Sequence, residues 1–182
     1  MEKFNEMQQL KRRMFAMRNG VVADALRKGG LPHKIIFGLN LPQLMEIAAE
    51  TGTDAEMAIR LRDDVACRES RLLAPMIYPV ESLTATMAGE WIDICISVEE
   101  VDILCHKLLR KMPEATEVAE EAACSSRELT RYAALRLMFN VLSGNTGTAR
   151  RLAEAELSRS SRLTATIAHQ LLDEVNFLEE EL

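Results

Sequence analysis

The chain has 182 residues, 48% apolar and 27% charged, which is enough apolar material for a packed core and excludes a disordered polymer. Aromatic content is only 4%, and Leu, Ala, Met, Glu and Arg are abundant, so helix is favoured over strand. The net charge of −6 argues against nucleic acid as a partner for the chain taken as a whole. No apolar run approaches the roughly 18 residues of a membrane span. The longest, LLAPMIYPV at 72–80, is broken by two prolines, and the charged amphipathic start has no signal-peptide core. Cys67, Cys95, Cys105 and Cys124 are scattered without C-x-x-C spacing, so disulfides and zinc are not expected. Reduced thiols and a cytoplasmic location are expected.

A first helix is expected over 2–18 and a second over 20–28, closed by Gly29-Gly30. Asn40 is a good N-cap for a helix that ends at Gly52. Another helix begins at Thr53 or Asp54, and a further one spans 67–78, stopped by Pro79. Beyond it the pattern falls into pairs, 84–95 with 98–111, 114–124 with 126–142, and 148–158 with 162–178. Ser97 and Glu100 have capping-box spacing, and Ser125 and Glu128 repeat it. The second members recur at intervals of roughly thirty residues, the period of helical hairpins stacked into a solenoid. The expected fold is therefore all-α, a single HEAT-like or armadillo-type α-solenoid domain over 1–182 of about ten helices. A compact helical bundle is the alternative.

Charge is unevenly spread. Residues 1–34 carry eight Lys/Arg against three acids, whereas residues 72–182 carry ten basic and eighteen acidic residues. One end is thus compatible with a polyanion, although a solvated amphipathic helix has the same composition.

Within SVEEVDILCHKLL (97–109), Val101, Leu104, Cys105 and Leu108 make one apolar face, and Asp102 stands at its border. Arg131 falls among Ala134, Leu135, Met138 and Leu142, an apolar neighbourhood in which a cation needs a partner. Counted from Ser97 and Ser125, Asp102 and Arg131 lie five and six residues on, which lets them face one hollow. The competing reading is a structural ion pair between stacked helices, with Asp102 also meeting His106 at i+4.

Four stretches resemble the DNA alkylation-repair family of HEAT-like proteins, the AlkD-type DNA glycosylases. HKIIFGLNLPQLMEIAAE (33–50) is similar to the family's entry segment, and CRESRLLAPMIYP (67–79) to the helix that follows it. EWIDICISVEEVDILCHKLL (90–109) resembles the family's Trp/Asp helix, with Val101-Asp102 on its catalytic Val-Asp pair. ELTRYAALRLMF (128–139) resembles the helix of its groove arginine, which falls on Arg131. The resemblance implies a solenoid whose concave groove holds duplex DNA, and excision of N3- or N7-alkylated purines. Asp102 would stabilise the oxocarbenium-like sugar electrostatically, Arg131 would hold a phosphate, and Lys34 and His169 would also touch DNA. Two departures stand out. Ser97 and Val98 occupy positions where the family has a tryptophan, and His169 stands where a second would be. A carboxylate and an arginine without an aromatic cradle make a weakened glycosylase. The other class of function is a non-catalytic HEAT-repeat scaffold whose groove takes a protein partner.

The remaining candidates are plainer. His33, His106 and His169 show no metal-ligand spacing, so no metal is assigned, and ALRKGGLPHK is not a phosphate loop, so no cofactor is assigned. Cys105 beside His106 points about 100° away from it on a helix and reads as a core thiol. Trp91 reads as interhelix packing. Glu114, Glu117, Glu120 and Glu121 read as a solvated face.

Overall fold

The structure, a computed structural model, describes the backbone of residues 2–180 and the side chains of residues 6–180. Lys3 of the cationic stretch and the last two residues of the acidic end fall outside the described side chains. Among the described residues eleven α-helices account for the fold: α1 Glu2–Ala16, α2 Gly20–Lys28, α3 Leu41–Thr51, α4 Ala55–Arg62, α5 Arg68–Ile77, α6 Ala85–Asp93, α7 Val98–Lys107, α8 Ala115–Ala123, α9 Glu128–Asn140, α10 Thr146–Leu157 and α11 Ala165–Glu180. Short 3-10 turns follow α5 and α7, and an isolated Ile35–Cys67 bridge is the only β pairing among the described residues. The all-α expectation is met. No described helix is long and apolar enough to cross a membrane.

The described residues divide into two compact units, 1–82 and 83–182, where a single domain is expected from the sequence. In the first, α5 is the buried centre. It packs against α3 and α4, and nearly every one of its residues is buried, including Arg68, Glu69 and Arg71. Glu69 is the organiser. Its carboxylate accepts from the backbone N–H groups of Phe37 (3.0 Å), Gly38 (2.9 Å) and Leu39 (3.3 Å), and Arg68 Nη1 lies 2.7 Å from Oε1. This holds the irregular segment between α2 and α3 against the start of α5. The following helix opens with a complete capping box, Asn40 with Gln43.

In the second unit α8 packs on α9 and α10 on α11, as short-linked neighbours do. Helices of like position also touch, α6 with α8, α8 with α10, α7 with α9, and α9 with α11. Ser97 caps α7 as expected, although the Glu100 carboxylate reaches the Ile96 N–H (3.0 Å) rather than that of Ser97. The expected box at Ser125 and Glu128 does not form. The helix starts at Glu128 itself, too late for that glutamate to reach back, and Ser125 Oγ takes the Arg127 N–H instead. Arg127 supplies the missing end chemistry from its side chain. Its guanidinium donates to the carbonyls of Ile92, Asp93 and Cys95 at the end of α6, a cation where unpaired carbonyls collect.

Candidate functional site

α9 is buried nearly all round, with Thr130 to Leu135, Leu137 and Met138 out of solvent. A helix so enclosed needs an acid for each arginine it carries. Two are supplied, on different sides.

On the α7 side, Asp102 is half-buried. Tyr132 Oη donates to Asp102 Oδ1 at 2.9 Å, and Arg136 Nε lies 3.0 Å from the same oxygen. That second contact is close but poorly aligned, an ion pair rather than a good hydrogen bond. Burial raises the Asp102 pKa, with the Tyr132 hydrogen bond and the Arg136 charge opposing it. Burial and then the Asp102 charge push the Tyr132 phenol well above its usual range. His106, one turn on, hydrogen-bonds Asn140 rather than Asp102. Desolvation and then the Arg110 charge lower its pKa, with Lys107 and Arg136 adding to the effect. Arg136, Arg110 and Lys107 thus gather around the Asp102–His106 stretch, with a second carboxylate, Glu99, near enough to raise the Asp102 pKa further.

On the α10 side, Arg131 is buried. Its Nε lies 3.0 Å from both carboxylate oxygens of Glu156, and its Nη1 donates to the carbonyls of Ser125 (3.1 Å) and Ser126 (2.9 Å). Glu156, also buried, further accepts from Thr164 Oγ1 (2.7 Å) and Arg159 Nη1 (3.2 Å). The Asp102–Arg131 ion pair, the competing reading of the sequence, is thus corrected to two pairs, Asp102–Arg136 and Arg131–Glu156. The guanidinium beside Asp102 is Arg136, and Arg131 has its Nε and Nη1 committed inside the unit.

Of the other expected contacts, His169 is exposed on α11 and Lys34 is exposed in the first unit, on the segment before α3. Trp91 is buried on α6, and Cys105 is buried with burial raising its thiol pKa, both as packing residues. The described residues contain no group of three or more His, Cys, Asp or Glu placed to hold a metal. Tyr132, Arg136 and Glu156 escaped the sequence reading. A signal existed for Glu156, which continues the apolar series Ala149, Leu152, Ala153 at i, i+3, i+4, i+7 and so points inward.

The sign of the Asp102 shift makes a stability prediction. A carboxyl raised in the folded state contributes stability below its unfolded pKa and loses it as pH rises through the folded value. Burial thus opposes the ionised form of Asp102 in the fold. Asp102→Asn is expected to be at least as stable as the parent at about pH 7, with the difference shrinking toward about pH 4. Thermal melts across that range check this, and a variant clearly less stable at neutral pH contradicts it.

Comparison of the chain with models of protein families, with curated proteins and with solved structures returns no match.

Proposed function

We propose that the second unit is a short HEAT-type stack of three helical hairpins that holds duplex DNA against the face shared by α7 and α9. The resemblance to alkylation-repair proteins suggests the ligand, and the like-with-like packing of α6, α8, α10 and of α7, α9, α11 supports the stack. The observation that carries the proposal is the group of three basic side chains, Arg136, Lys107 and Arg110, along the Asp102–His106 stretch, which outnumber the acids Asp102 and Glu99 there. Arg136 is 31% exposed, with its guanidinium 6.0 Å from the Phe139 ring centre, and Lys107 and Arg110 lie near enough to depress His106. Such a face suits phosphate, and a guanidinium held by an acid and an aromatic keeps its direction without contacting a base. Asp102 is here a positioning residue for Arg136.

Duplex binding should weaken steeply with salt, because each neutralised phosphate releases counterions. Arg136→Met should weaken it about ten-fold and flatten the log–log salt slope by about one. Fluorescence anisotropy on a labelled blunt duplex measures both. No binding at about 50 mM salt would end the DNA reading and leave the same surface to a protein partner.

A second reading gives Asp102 the excision chemistry, and one observation favours it: a half-buried carboxyl whose pKa burial raises is common where function sets the residue. It requires release of 7-methylguanine or 3-methyladenine from alkylated duplex, lost in Asp102→Asn with duplex affinity retained. Release at the uncatalysed rate removes excision and leaves binding untouched.

A further inference from the structure

We propose that a hollow in the first unit is a seat for one nucleotide of an unpaired nucleic-acid strand, with the base against the Phe15–Arg18 stack and the phosphate on Lys34 and Arg27. This goes beyond the duplex reading of the second unit and stands or falls separately. The hollow encloses about 360 Å³ between the end of α1, the body of α2 and the segment 34–37, at the small end of the roughly 300–1,000 Å³ of ligand pockets. Three cations line it, Arg18, Arg27 and Lys34, and no acidic side chain does among the described residues.

Each cation is placed for a different task. The Arg18 guanidinium lies 3.9 Å from the centre of the Phe15 ring and is tied by Nη1 to the Phe15 carbonyl at 3.0 Å. It therefore presents a flat, fixed, charged plate, and bases stack on such guanidinium planes as they do on aromatic rings. Arg27 is anchored to the Ile36 carbonyl (3.2 Å) and to exposed Asp24 (3.0 Å), so its position is set by the loop. Lys34 is exposed and has no hydrogen bond or ion pair among the described residues, which leaves its charge for a ligand. The apolar part is equally open. Phe15 is 53% exposed and Ile35 39%, with the Phe37 ring edge-on to Phe15 at 6.2 Å between centres. An aromatic plate beside three cations, one of them exposed Lys34, suits a stacked base with its phosphate, and suits poorly the closed, paired bases of an intact duplex. The loop is also rigid, since Glu69 holds the N–H groups of Phe37 and Gly38 and Asn19 N–H donates to the Phe37 carbonyl at 2.8 Å. Preorganisation of that kind lowers the ordering cost of binding.

The test is anisotropy of a 5′-labelled deoxyadenosine decamer titrated with the full chain, with the fully paired blunt duplex of the same sequence in parallel. Saturable binding of the single strand is expected at about 50 mM salt, weakening toward about 200 mM. Phe15→Ala and Arg18→Ala should each weaken it about ten-fold, the size of one lost base stack. Lys34→Gln should weaken it several-fold and flatten the salt slope by about one. Arg12→Gln on the exposed side of α1, outside the hollow, should change it by less than about two-fold. Phe15, Arg18 and Lys34 are surface residues, and circular dichroism confirms that their variants fold. The proposal is overturned by absence of single-strand binding, by Arg12→Gln weakening binding as much as Arg18→Ala, by an inert Phe15→Ala, or by the duplex binding more tightly through the same residues. Failure of duplex binding alone overturns only the reading of the second unit.

Discussion

Arg131→Met is expected to lower the unfolding free energy by about 3–5 kcal/mol, the loss typical of a buried ion pair deprived of one partner. Arg131 is only 7% exposed and Glu156 5%, so neither charge is satisfied by solvent. Deleting the cation strips Glu156 of its closest charge and leaves the Ser125 and Ser126 carbonyls without their donor. Arg159, 44% exposed at its side chain, and Thr164 remain on Glu156 and keep the loss from growing further. Two companion variants give the mechanism. Arg131→Lys retains the charge but not the forked geometry that reaches carboxylate and carbonyls together, and should fall between parent and Met. The double variant Arg131→Met with Glu156→Met removes both charges and should recover most of the loss, since a well-packed apolar pair replaces a buried ionic one at little net change. Urea unfolding of the four proteins measures this. A single-variant loss under about 1 kcal/mol would show that the pair is not what holds α9 to α10, and would return Arg131 to the phosphate role that the family resemblance implies.

The same residue shows why some of the architecture was legible in the sequence and some was not. Helix identity followed from apolar period and end signals. Asn40, Gly52, Asp54 and Ser97 all stand where the helices begin or end. Pairing across helices did not follow, because a period says which face is buried and not which neighbour covers it. The expected Asp102–Arg131 contact was counted from Ser97 and Ser125 as equivalent caps. Ser97 caps its helix and Ser125 does not, because α9 begins only at Glu128. Asp102 is therefore the fifth residue of α7 and Arg131 the fourth of α9. One residue of register turns a side chain by about 100°. The fifth residue of α9 is Tyr132, the one that hydrogen-bonds Asp102, and one turn beyond it stands Arg136. The partners were thus one register step from legible. The hollow at Phe15 was further from reach. Its cations were visible as a charge excess in residues 1–34, but their convergence depends on a loop held by a glutamate some thirty residues away.

Gly38→Ala is expected to destabilise the first unit by about 2–6 kcal/mol, combining a strained backbone with an atom that has no room. Gly38 has φ of +80°, a conformation that side chains oppose. A Cβ built there would lie 2.3 Å from the Asn19 carbonyl oxygen and 2.8 Å from the Ala23 nitrogen. Both are backbone atoms of the first turn of α2, joined to each other by the Ala23 N–H to Asn19 C=O bond of 2.9 Å, so no side chain can swing aside. Relief would require the 36–39 segment to retreat from α2, and the Glu69 carboxylate prevents this by holding three consecutive N–H groups. Glu69→Gln tests that clamp from its other end. An amide offers one acceptor where the carboxylate offers two, its NH₂ would face the Phe37 or Gly38 donor, and buried Arg68 would lose its anion at 2.7 Å, so a loss of about 3–5 kcal/mol is expected. Because the two changes act on one segment, they are expected to be less than additive, the second finding the loop already displaced. Strict additivity in urea unfolding would mean that glycine and glutamate hold different things. The Phe15–Arg18–Lys34 hollow would then not be built by that clamp, and Glu69→Gln would leave single-strand binding intact.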